Sequence, residues 1–295
     1  MNSARNDTSA LPILLAVLAI LVLTAMDAII KRLTDDWSTL DLVATRYTVG
    51  ALCCIPLVLI QRPPRPSPEM LKANAMRAVV VLVTALLFFY ALAKLPLVEA
   101  VVFSYLAPLF MALLGRLMLG ERVSPATGIA IVLGFAGVVV IAVGKGLGTT
   151  GFGADLLGIV AALAAAFTYA LAMVLLRQRT ASDHIAAIVT AQNLFAAFLA
   201  LPLALALGDP LALMLREWPS ALAIGALGTV GHLLFAEAFK RAPAARIGAV
   251  EYTGFVWAVP IGLFFFGEWP SVAALAGAAL IISGSLLLLR KPKAA

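Results

Sequence analysis

The chain has 295 residues, 63% of them hydrophobic and 12% charged, with a net charge of +6 and a mean hydropathy of +1.06. A soluble domain is nearer half apolar and a quarter charged, so this much apolar surface has no place in water and the solvent is lipid. The positive charge does not point to nucleic acid: no polar domain exists to hold a basic face, and cytoplasmic loops between spans retain Lys and Arg anyway.

A helical span takes about 20 mostly apolar residues. On that measure ten spans are predicted after the polar start MNSARNDTSA, at 11–31, 39–60, 74–94, 97–119, 125–144, 154–177, 184–207, 218–239, 244–266 and 271–290. The first exceeds a signal-peptide core and ends in no small-residue cleavage site, so it is expected to stay in the protein. Short polar breaks such as RPPRPSP, GERVSP, KRAPAAR and GEWPS separate the spans. Cys53 and Cys54 are adjacent inside an apolar run, which suits packing and neither a staple nor a four-ligand metal site.

Basic residues set the expected orientation. With the N-terminus inside, 14 Lys and Arg fall on the cytoplasmic side, Arg62, Arg65, Lys72, Arg77 and Arg122 among them, against 5 outside (Lys31, Arg32, Lys94, Lys145 and Arg216). Both termini are therefore expected in the cytoplasm. Lys31 and Arg32 run against the rule.

An internal repeat is visible at an offset of 147 residues. Pro96–Glu121 lies under Pro243–Glu268, with Pro96 on Pro243, Tyr105 on Tyr252, Gly115 on Gly262 and Gly120-Glu121 on Gly267-Glu268. Five spans per unit is an odd number, so the second unit, 154–290, must enter the membrane from the side opposite to the first, 11–144. That predicts an inverted pair, a construction found in transporters. The Gly-rich stretch GKGLGTTGFG falls between the units.

Ionisable groups inside spans are the informative exceptions, because one at mid-membrane costs roughly 2.5–3.5 kcal/mol. Glu237 and Glu251 flank the KRAPAAR turn on neighbouring antiparallel spans and are the first candidates for binding a substrate ammonium or a proton. His232 stands about 140° round the helix from Glu237 and is not expected to share its face. Asp27 and Glu99 are candidates for coupling or ion pairing: Asp27 is weighed between Lys31 and a cavity, while Glu99 is expected near the outer interface. Arg46 and Arg116 are read as snorkelling or pairing across helices. Tyr90, Tyr105, Tyr169, Tyr252 and Trp257 lie inside spans rather than in interfacial belts, which suits bundle packing or the lining of a wet cavity. No HExxH, GxSxG or Walker loop occurs, so neither an enzyme nor an ATP-driven pump is expected, and no cofactor or metal is implied.

The segments GERVSPATGIAIVLGFAGVVVI at 120–141 and GEWPSVAALAGAALIISGSLLLL at 267–289 each begin with Gly-Glu and carry a Gly sixteen residues after the Glu, Gly137 and Gly284. With ten spans in two units and Pro108 in YLAPLF, the chain resembles the EamA-type branch of the drug/metabolite transporter superfamily. The counterpart of Pro108 is Phe255, with Pro260 displaced, so the two halves need not bend alike. The resemblance implies an all-α basket of ten membrane helices around a central cavity, lined mainly by spans 1–4 and 6–9, with spans 5 and 10 outside. It also implies a secondary carrier of the bacterial inner membrane that exports small metabolites by alternating access, most similar to amino-acid exporters of aromatic or broad range. The alternatives are an exporter of cationic drugs or other amphiphiles, and, in another class, a membrane enzyme or assembly subunit. A bound carboxylate would need a cation, and the sequence places none. Oligomeric state is not readable; a homodimer is compatible with the chain.

Overall fold

The computed structural model describes residues 11–119, 125–144, 154–180, 182–241, 247, 250, 251 and 253–286. All regular structure among them is helical: α1 (Leu11–Leu33), α2 (Thr39–Gln61), α3 (Pro68–Lys94), α4 (Leu97–Ser104), α5 (Ala107–Leu119), α6 (Pro125–Gly144), α7 (Ala154–Thr180), α8 (Ile185–Leu207), α9 (Pro210–Arg216), α10 (Trp218–Arg241), α11 (Thr253–Phe266) and α12 (Val272–Leu286). Seven stretches among the described residues are long and apolar enough to cross a membrane, the fourth, Glu99–Met118, running through the junction of α4 and α5. Phe264 and Phe265 are about four-fifths exposed, which fits a lipid-facing wall and would be untenable in water.

Helix starts follow side-chain chemistry. Ser38 accepts the Asp41 N–H at 3.2 Å and Ser67 accepts the Met70 N–H at 3.1 Å, each satisfying an orphan donor of the first turn. Pro68 sits where its missing N–H costs nothing. With cap and proline in place, α3 starts at Pro68 rather than at the expected 74. Arg77, counted above as a cytoplasmic loop residue, is thus inside α3, 1% exposed, donating to Asn74 at 3.3 Å and to Gln192 of α8. The short α9, capped by Asp209 accepting the Ala212 N–H at 3.0 Å, lies between the expected spans 184–207 and 218–239.

The fourth span is not one helix. α4 stops at Ser104 and α5 begins at Ala107, with Tyr105 and Leu106 in a turn between them. Pro108 lies in the first turn of α5, where a proline cannot continue a preceding helix but begins a new one well. The ninth span has the same irregularity at the matching place: Glu251 is in a turn, its carbonyl accepting the Gly254 N–H at 2.9 Å, and α11 starts at Thr253. The offset carries Ser104 to Glu251 and Leu106 to Thr253. Both spans therefore leave the helix within about a residue of the matching place, although the second copy has Phe255 where the first has proline.

Packing pairs α1 with α10, α3 with α7, α2 with α8, and α6 with α12; α4 packs on α11, α5 on α7 and α1 on α11. α6 and α12 meet at glycines: a Cβ added at Gly137 would lie 2.6 Å from the Gly277 carbonyl oxygen, so the backbones touch only because both positions are small.

The Gly-Glu that ends the ninth span is a stop and a strap. Gly267 takes the left-handed conformation at φ 65° that favours glycine, and its N–H and that of Glu268 close the helix on Leu263 and Gly262. Glu268 then turns back, accepting the Leu97 N–H at the start of α4 at 2.8 Å and pairing with Lys31 at 3.2 Å. Lys31 also donates to the Leu92 and Leu95 carbonyls at 3.2 and 2.8 Å. Lys31, which defied the charge rule, is thus the centre of a knot that ties α1 to the α3–α4 link and to the α11–α12 turn.

Candidate functional site

A cavity of about 180 Å³ opens between α1, α2, α3, α4, α7, α10 and the start of α11. None of its lining residues comes from α6, α8 or α12. That leaves spans 5 and 10 outside as the resemblance implied, while span 7, expected as part of the wall, is absent from it. Most of the surface is apolar, with Phe88, Phe89, Phe235, Met26 and Met173 prominent. The polar groups come from different helices: Asp27, Arg46, Ser104, Tyr105, Tyr169, His232 and Glu251, with the hydroxyls of Thr24, Tyr47 and Thr84. Such a concave apolar space with a handful of converging polar groups is the usual form of a small-molecule site.

Each polar group is placed by its helix. Glu251 sits in the turn before α11, and the Tyr169 hydroxyl of α7 donates to its Oε1 at 3.1 Å. Tyr105, 2% exposed, occupies the α4–α5 turn against Gly254. Asp27 lines the cavity from α1; it does not pair with Lys31, which is taken up by Glu268. Arg46 of α2 is 3% exposed and lays its guanidinium over the Tyr47 ring at 4.1 Å. Its Nη2 lies 3.2 Å from His232 Nδ1, which also lies 2.8 Å from the Gly228 carbonyl oxygen. Gly228 makes the room: a Cβ there would stand 3.1 Å from Arg46 Nε and Nη2 and from Met26 Sδ.

Of the residues singled out in the sequence, Glu251, Asp27, Tyr105, Tyr169 and His232 are brought together here. Glu237 is not. It turns away from the cavity, accepts from Arg241 Nε at 2.8 Å one helical turn on, and borders a separate, more peripheral recess with His184 and Lys240. The five-residue step from His232 puts it on another face, as the helix geometry requires. Tyr90 is half-buried outside the cavity, with Lys94 Nζ 5.9 Å from its ring centre. Trp257 packs against the core from α11, also outside the cavity, with its indole N–H buried and unbonded among the described residues. Glu99, expected near an interface, is 5% exposed inside the bundle and lines no part of the cavity. Tyr252 lies outside the described residues. Arg46, read from the sequence as snorkelling or pairing across helices, reaches across to His232 of α10 and also lines the cavity.

This fold and cavity define a membrane transporter, and the EamA-like transporter family matches the chain twice, over residues 10–143 and 156–290. The chain belongs to that family and is a multi-pass protein of the inner membrane. It is 29% identical to the pseudopaline exporter CntI of Pseudomonas aeruginosa over 281 residues, 95% of this chain and 96% of that protein. It is 29% identical to an uncharacterized transporter of Helicobacter pylori over 92% of each chain, and 25% identical to a riboflavin transporter of Brucella anthropi over 83% of this chain and 86% of the relative. A protein of known crystal structure superposes with a TM-score of 0.70 over 96% of this chain and 98% of its own at 23% identity, which shows the fold.

Proposed function

We propose that the chain is a secondary carrier that exports small metabolites, amino acids foremost, by alternating access. In this reading it has ten spans in two inverted repeats, 11–144 and 154–290, with both termini cytoplasmic, and the substrate binds in the central cavity. The observation that carries it is the convergence of two carboxylates, Asp27 and Glu251, with tyrosines and apolar walls in one small space within the helices. Ionisable groups are retained there against a cost of a few kcal/mol each, which marks a solute pathway by default. Glu251 and Asp27 bind the substrate ammonium or a proton; Tyr169 orients Glu251, and Tyr105 contacts the substrate at the α4–α5 turn. Glu237, Tyr90, Trp257 and Glu99 take no part.

Two further facts support the architecture. The family matches in two consecutive segments of nearly equal length. The packing pairs also exchange under the repeat: α1 on α10 maps to α7 on α3, and α5 on α7 maps to α11 on α1. A pseudo-two-fold axis in the membrane plane does this, and discontinuous helices at the midplane are where such carriers place their substrates.

The cavity volume argues for a small solute, since drug-sized ligands occupy pockets of roughly 300–1,000 Å³. A second reading is favoured by the relatives, whose names give pseudopaline and riboflavin as solutes. Counterflow into sealed liposomes tests both. The protein is reconstituted and assayed with labelled amino acids, pseudopaline, riboflavin and a cationic dye, with and without a pH gradient. Saturable amino-acid flux is expected. Flux confined to riboflavin, pseudopaline or the dye would refute the amino-acid assignment, and flux of none of them from folded protein would refute the carrier reading for these solutes.

A further inference from the structure

The acidic groups of the cavity account for an amine, and Arg46 accounts for more. Its guanidinium lines the cavity and is 3% exposed, yet no carboxylate of the described residues lies within ion-pair distance of it. Asp27, which also lines the cavity, makes no ion pair with it, and Glu251 is engaged by the Tyr169 hydroxyl. The side chains in contact with Arg46 are uncharged, the Tyr47 ring under its face, His232 Nδ1 at its edge and Gly228 beside it, while Asp27 stands near enough to interact with its charge without closing an ion pair. A ring nitrogen that accepts from Arg46 belongs to a neutral imidazole, one that donates to the Gly228 carbonyl to a neutral or cationic ring, and in neither case does His232 bring a negative counter-charge. Nη1 has no hydrogen-bond partner among the described residues.

A guanidinium left with a free N–H in so dry a place is costly unless an anion completes it. Its planar fork suits a carboxylate better than any other common anion of that size. The seat also looks built for the purpose. Stacking on Tyr47 fixes the plane of the fork, and the absence of a side chain at Gly228 gives it room against α10.

We propose that Arg46 is the carboxylate-binding residue of the cavity, so that the carrier takes amino carboxylates and discriminates against the same solutes lacking the acid. This rests on the reading of the cavity as the transport site. The substrate lies with its carboxylate on Arg46 at α1, α2 and α10, its ammonium toward Asp27 and Glu251, and its side chain among Phe88, Phe89 and Phe235.

Binding to purified protein tests this apart from flux. Phenylalanine and leucine, their carboxamides and their decarboxylated amines are titrated against wild type, Arg46→Gln and Arg46→Lys, each checked for monodispersity by gel filtration. For wild type the acids are expected to bind ~10–100-fold more tightly than the amides and amines, the range for losing a hydrogen bond to a charged partner. Arg46→Gln should abolish that preference, lowering affinity for the acids while leaving the amines within about twofold, and Arg46→Lys should keep part of it. The analogue series on wild type decides even if a variant fails to fold. Amides and amines binding as well as the acids would overturn the proposal. So would an equal loss for all three in a folded Arg46→Gln protein, or no binding of any acid. An acid that binds but is never carried into liposomes leaves Arg46 as the carboxylate site and sinks the export reading instead.

Discussion

Glu251 and Glu237 are both glutamates close in sequence to the segment KRAPAAR, yet their surroundings assign them different work. Glu251 faces the cavity with the Tyr169 hydroxyl on it, whereas Glu237 closes an i,i+4 pair with Arg241 at a half-exposed position. A pair of that kind contributes at most about 1 kcal/mol. Glu237→Gln is accordingly expected to leave flux unchanged and to move the thermal midpoint in detergent very little; a loss of transport would contradict its placement. Tyr169→Phe removes the donor to Glu251. It should raise the half-saturation concentration for substrate about tenfold, in keeping with one hydrogen bond to a charged group, and an unchanged transport curve would show that the bond does not matter. At this scale the sequence was half legible. Charges within spans could be found by inspection, and Glu251, Asp27 and the tyrosines were. Which face each would present depends on helix phase and partner, so Glu237 and Glu99 could not be separated from them. For Arg46 the sequence left snorkelling and pairing across helices open, and only tertiary packing puts it against His232 of α10.

Helix ends carry the next layer of the design. Glu268 does two jobs, capping the first N–H of α4 and neutralising Lys31. The two can be separated. Glu268→Gln keeps an acceptor for Leu97 and loses the ion pair, while Glu268→Ala loses both and strands the Lys31 ammonium. The alanine variant is expected to lose roughly 1–3 kcal/mol of stability, the cost of a deleted cap and a broken partly buried pair, and the glutamine variant clearly less. Equal melting temperatures for the two would show the cap to be idle. Between α6 and α12, Gly137→Leu should lower the thermal midpoint strongly, because its side chain would have to displace the Gly277 backbone and overpacking costs roughly 1–3 kcal/mol or more. Unchanged stability there would mean that the two helices are not in contact. Most helices were legible, since long apolar runs punctuated by Pro, Gly and charge leave few choices. The broken fourth and ninth spans were not fully so. Pro108 announced one break, but the turn at Glu251 has no proline at the matching place and follows from packing around the cavity.

In the whole molecule, the same packing pairs recur under the exchange of the two halves, and the turn at Glu251 falls about one residue from the place that matches the α4–α5 turn. The matched Pro, Tyr and Gly-Glu positions had led to the expectation of a duplicated unit, and a duplicated sequence would constrain both copies to similar contacts. In the proposed reading as an inverted pair, two mirrored arrangements of similar energy would supply what alternating access needs. The Lys31–Glu268 knot holds one end of the bundle together and must loosen for that end to open. Lys31→Ala is therefore expected to increase labelling of a cysteine placed at Ser104, in a protein freed of Cys53 and Cys54, by a membrane-impermeant thiol reagent added from the knot's side. No change in labelling would show that the knot is not a closure.

The most direct test of the central claim, that substrate passes through the cavity between α1, α2, α7 and α11, compares counterflow by wild type, Glu251→Gln and Glu237→Gln in sealed liposomes with the same labelled amino acid. The account predicts that Glu251→Gln loses saturable flux while Glu237→Gln retains it. Flux that survives in Glu251→Gln and fails in Glu237→Gln would move the pathway to the peripheral recess and contradict the site described above.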